Sequence, residues 1–140
     1  MKTKFTILIL NLLLFAAPSR CFADYVIEDV SKAQAKEMGV TIRTEKNGDA
    51  GIRVWMEFKT TGKLKEFAYV EVQIGEGKSR IMSAPLRVSN PSPGSAAVQF
   101  SADPTYVRKS ELDIFVDHAP PGGTVYRFKV KDFIEPETSK

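Results

Sequence analysis

His118 is the only histidine of the chain, and it follows Asp117 directly, ahead of Ala119-Pro120-Pro121-Gly122-Gly123. A loop histidine beside a carboxylate has the chemistry of a general base. It would need a nucleophile delivered in space, and no G-x-S-x-G elbow is present to supply a serine. Asp113 and Asp117 are the one pair of carboxylates with a regular spacing, on the polar beat of ELDIFVDH. On one strand they would stand ~13 Å apart at ~3.3 Å per residue, too far for either glycosidase geometry. They read instead as solvated charges protecting a sheet. One histidine and one cysteine offer too few ligands for a zinc or copper centre, and no EF-hand loop is present. The glycines are scattered, without the spacing that cradles a phosphate. The sequence thus predicts no catalytic residue, no metal site and no cofactor.

What remains is aromatic. In GIRVWMEFK, Ile52, Val54, Met56 and Phe58 share one beat, and Arg53, Glu57 and Lys59 share the other. Trp55, the only tryptophan, lies on the polar beat. In FAYVEVQI the inward set is Ala68, Val70, Val72 and Ile74, which leaves Phe67, Tyr69, Glu71 and Gln73 outward. If these two segments form a hairpin, Trp55 faces Glu71, with Tyr69 diagonal to it and Phe67 on the same face. Trp55, Tyr69, Phe67 and Glu71 would then form a ligand surface suited to a sugar ring or a protein partner. The alternative is structural: Tyr25, Ile27, Val30, Ala33 and Met38 of the N-terminal segment fold over Trp55 and Tyr69.

The elements that must carry these residues follow from periodicity. Ser31 and Gln34 make a capping box for a helix over 32–38, ended by Gly39. After Gly39 the period changes to two. Alternating segments recur at VTIRTEK, AGIRVWMEFK, FAYVEVQI, RIMSAPLRV, AAVQFSA, ELDIFVD and TVYRFKVKDF, separated by turn residues such as Asn47-Gly48-Asp49 and Asn90-Pro91-Ser92-Pro93-Gly94. About seven short strands predict a single antiparallel β-sandwich over 24–134, immunoglobulin-like in architecture, with a small β-barrel as the alternative. Pro85 places its strand at an edge or a bulge. Residues 135–140 form a polar tail, expected to be flexible.

The first 23 residues read differently. Lys2 and Lys4 precede an apolar run from Phe5 to Ala17, and Cys21 and Ala23 provide an A-x-A-like site. This predicts a signal peptide cleaved after Ala23 and a secreted or periplasmic domain. The run is shorter than the ~20 residues of a membrane span, so no stable membrane insertion is expected after cleavage. Arg20 before Cys21 argues against a lipid-anchored cysteine. The chain carries 20 basic and 17 acidic residues. Losing Lys2, Lys4 and Arg20 leaves a neutral domain, which removes the charge argument for nucleic acid. That domain has no thiol and must be held by its core.

Signal, short helix and strand-rich domain together, with SKAQAKEMGV (31–40) near the start and VYRFKVKDFI (125–134) at the end, resemble the uncharacterised small secreted β-sandwich proteins of planctomycete-type bacteria. That resemblance implies the fold and the export route and brings no activity. The expectation is a non-catalytic binding or interaction module with a protein or glycan partner in the cell envelope. The alternatives are a structural envelope protein and a hydrolase using carboxylates or His118.

Overall fold

The computed structural model describes residues 25–48, 51–76, 79–116 and 123–134. The signal segment, Asp117, His118 and the tail 135–140 lie outside them. Among the described residues eight strands form two sheets. In chain order they are β1 (Val26–Asp29), β2 (Val40–Lys46), β3 (Ile52–Lys59), β4 (Phe67–Glu76), β5 (Ser79–Leu86), β6 (Ser95–Ala102), β7 (Ser110–Val116) and β8 (Thr124–Lys129). Helix α1 (Lys32–Glu37) and a four-residue helix α2 (Pro104–Val107) complete the set, with short 3-10 turns at Gly62–Leu64 and Val130–Asp132. One sheet runs β1-β8-β7-β4-β5 and the other β2-β3-β6. The domain is mainly β and sandwich-like, and it does not close into a barrel.

The inward beats form the core. Val54, Met56 and Phe58 of β3 face Val70, Val72 and Ile74 of β4 and Leu112 and Ile114 of β7, all buried. Tyr126, Phe128 and Val130 join them, although the strand ends at Lys129 and Val130 already belongs to a 3-10 turn. Pro85 lies in β5, an edge strand, where its missing N–H costs no ladder bond.

Helix α1 begins as its sequence dictates. The Ser31 hydroxyl accepts from the Gln34 N–H at 3.3 Å, and the Ser31 N–H donates to Gln34 Oε1 at 2.9 Å. Gly39 follows at φ +71°, where a Cβ would meet the Lys59 side chain at 2.9 Å. Ala33 was an expected contact and is exposed; Ala35 packs in its place, because it shares a face with Met38 one turn on.

Two expectations are corrected here. The N-terminal segment does not fold across Trp55. It forms β1, which pairs in parallel with β8, Val26 opposite Thr124 and Asp29 opposite Arg127. Nor do β3 and β4 form a hairpin. β3 lies between β2 and β6, β4 lies between β5 and β7, and the two belong to opposite sheets. The connection through Thr61 and the buried Leu64 carries the chain from one sheet to the other.

Candidate functional site

The outer face of the five-stranded sheet is laid out by strand register in three rows. The first holds Ile27, Val125, Phe115 and Tyr69, from β1, β8, β7 and β4. The second holds Asp29, Arg127, Asp113 and Glu71, ending at Pro85. The third holds Lys129, Glu111, Gln73 and Ser83. An apolar row therefore borders two polar ones.

In the apolar row, Tyr69 stacks on Phe115 with centroids 4.3 Å apart and planes 13° from parallel. Tyr25 closes on Phe115 edge-on, at 5.6 Å and 87°. Each such aromatic pair contributes ~0.5–1.5 kcal/mol beyond its buried area. The cluster is still open to water: Tyr25, Ile27 and Tyr69 are 45, 50 and 37% exposed. Partial burial pushes the Tyr69 phenol above its ordinary pKa, and Glu71, Tyr25 and Asp113 push it the same way. It stays protonated, a hydrogen-bond donor at the edge of the apolar patch.

The polar rows are tied by charge-assisted bonds. Arg127 donates to both oxygens of Asp113 at 3.0 Å and lies 3.2 Å from Glu111. The Asp113 hydrogen bond, followed by the nearby acids, holds the guanidinium above its already high pKa against the opposing effect of burial. Gln73 Nε2 donates to Glu71 Oε1 at 3.0 Å, and the Ser83 hydroxyl donates to the same oxygen. Lys129 meets Asp29 at 3.0 Å at the sheet edge. Asp113 thus overturns its expectation as a solvated charge. It is 1% exposed, and the guanidinium fork, not water, satisfies it. A carboxylate held this way orients the guanidinium beside it.

Tyr69 and Glu71 share this face. The other two expected members do not. A bulge between Phe67 and Tyr69 shifts the register, so that Phe67 pairs with Val116 and Tyr69 with Phe115. The extra residue turns Phe67 inward, where it meets the core ring of Phe58 edge-on at 5.0 Å and 87°. Trp55 lies on the outer face of the other sheet, between Arg43 and Gln99. The Arg43 guanidinium sits 5.5 Å from the centre of its ring, and Trp55 Nε1 is buried without a hydrogen-bond partner among the described residues. Arg43→Ala is expected to expose the ring, read as a red shift of tryptophan emission and faster acrylamide quenching; unchanged quenching would mean Arg43 covers nothing.

Sequence reasoning missed Phe115 and Arg127, and it placed Tyr25 near Tyr69 only as a structural cover. Phe115 carried the same signal as Trp55, a large ring on the polar beat of its strand. Among the described residues no group of three or more His, Cys, Asp or Glu side chains could hold a metal ion, and no helix is long and apolar enough to cross a membrane. No protein-family model matches the chain, and no curated protein matches it either.

Proposed function

We propose that the chain is an exported, non-catalytic binding module that takes a protein partner through the outer face of its five-stranded sheet. The observation that carries this reading is the exposed ring cluster Tyr25–Phe115–Tyr69 beside a charged row that is already paired. Tyrosines grouped around a half-buried ring have the composition of interface hot spots. Their arrangement favours a protein over a glycan. Sugar stacking needs a bare ring face, whereas one face of Phe115 is closed by Tyr69 and Tyr25 packs against it as well. Tyrosine edges and hydroxyls are what the cluster presents.

Export is supported by the sequence of residues 1–23. An immunoglobulin-like arrangement is part of the same reading. It is supported by strands distant in sequence lying side by side, as β4 with β7 and β3 with β6, in the manner of Greek-key connections.

The test is affinity capture from a cell-envelope extract with the domain beginning at Asp24, alongside a glycan array. Tyr25→Ser with Tyr69→Ser should lose a captured protein by about a hundredfold, in the hot-spot range of ~2–4 kcal/mol. Trp55→Ser should retain it. Loss with the Trp55 variant alone would move the site to the other sheet, and binding confined to the array would make the ligand a carbohydrate.

A further inference from the structure

A second site lies on the other side of the five-stranded sheet. The three-stranded sheet covers only part of its inner surface. Under β1 and β8 the cover is helix α1 and the turn at Gly62–Leu64, and between them a groove of 540 Å³ remains. That is within the ~300–1,000 Å³ of small-ligand sites. Its apolar lining is Tyr126, Val30 and Met38; the first two are buried, the third half-buried. Burial, with Glu28 adding to it, raises the Tyr126 phenol above its ordinary pKa.

The charges around this floor come from different elements. Lys59 at the end of β3, Lys63 on the turn and Lys36 in the last turn of α1 supply ammonium groups. Lys63 Nζ lies 5.7 Å from the centre of the Tyr126 ring. The Lys59 stem runs against Gly39, so closely that a Cβ there would meet its Cγ and Cδ at 3.0 and 2.9 Å. Gly39 therefore ends the helix and also makes room for Lys59 beside the groove. Glu28 on β1 and Glu37 at the end of α1 supply carboxylates. Among the described residues none of these five is in an ion pair, whereas Asp29, also at the groove, is taken by Lys129. Unpaired charges of both signs thus surround one apolar floor.

We infer that this groove binds a small dipolar ligand: one bearing a carboxylate and an ammonium on a short apolar body, as a free amino acid or short peptide does. The carboxylate meets Lys59 and Lys63, the ammonium meets Glu28 and Glu37, and the body rests on Tyr126 and Met38. A purely anionic ligand would face the two glutamates, and a purely cationic one the three lysines. The inference does not depend on the outer aromatic face.

The experiment is a titration of the isotopically labelled domain with trialanine, followed by NMR at the Tyr126 backbone amide and the Met38 methyl. Free trialanine should give saturable shifts at both. N-acetylation and C-amidation should each weaken binding about two- to fivefold, as should Lys63→Gln and Glu28→Gln, a loss typical of partly exposed ion pairs. Both substitutions are at the surface, and denaturation midpoints near that of the parent would show that the fold is kept. Three results would overturn the inference: no saturable shift, equal binding of the doubly capped peptide, or full reproduction of the shifts by acetate alone. The last would make the site a simple oxyanion site.

Discussion

Arg127→Met is expected to destabilise the domain by about 3 kcal/mol, the low end of the ~3–5 kcal/mol seen when one partner of a buried ion pair is removed. The cost comes from what stays behind. Asp113 is 1% exposed and both its oxygens accept from Arg127. Without the guanidinium it is a buried carboxylate opposite a second one, Glu71, across the β4–β7 pair. The low end applies because Arg127 itself is 15% exposed, so some water already reaches the pair. Adding Asp113→Leu should recover most of the loss, because an apolar pair of similar volume needs no desolvated charge. Urea unfolding of the single and double variants measures both numbers. A single-variant loss under about 1 kcal/mol, the range of surface pairs, would show that solvent, not Arg127, satisfies the Asp113 oxygens.

The second large effect lies in the core. Phe58 is fully buried, between Val40 and Ala96 on the inner face of the three-stranded sheet, and touches Phe67 across the sandwich. Phe58→Ala removes the ring, leaves a cavity and breaks an edge-on aromatic pair, for about 4 kcal/mol. Against a typical total of ~5–15 kcal/mol, that leaves a marginal domain. Trp55→Ala, three residues earlier, should cost only about 1–2 kcal/mol, because its ring is half-covered on the outer face and its unpaired N–H leaves with it. Comparable losses for the two would mean that Trp55 is a core residue after all.

The contrast between Phe58 and Trp55 was legible in the sequence, because a strand alternates faces whatever it pairs with. Period two placed Val54, Met56, Phe58, Val70, Val72, Leu112 and Ile114 inside, and all are buried. The capping box at Ser31 was equally local and equally visible. Partnership was not. Neighbouring strands usually pair, which favoured a β3–β4 hairpin, but the turn carrying Leu64 crosses between sheets. The bulge that turns Phe67 inward leaves no mark on the alternation of FAYVEVQI. The burial of Asp113 depends on Arg127 from another strand, and no local pattern reports that. Tyr69 and Glu71 share a face because they lie two apart on the regular part of β4, whereas Phe67, on the same strand, is separated from them by the bulge. Trp55, whose place in the site required knowing which strands meet, was placed with the wrong neighbours.

The parallel pairing of β1 with β8 has a consequence for how the domain comes into being. The first strand can be seated only against the last, so Val26 waits for Thr124, with nearly the whole domain between them. Contacts of such long range form late, because the loop entropy must be lost before the pairing repays it. Tyr25 and Ile27 reach the aromatic cluster only through that pairing. A nascent chain lacking its final strand can build much of its core, yet it cannot display the completed outer face. The surface proposed to meet a partner is therefore also a mark that β8 has been made and seated: a chain truncated before that strand does not carry it.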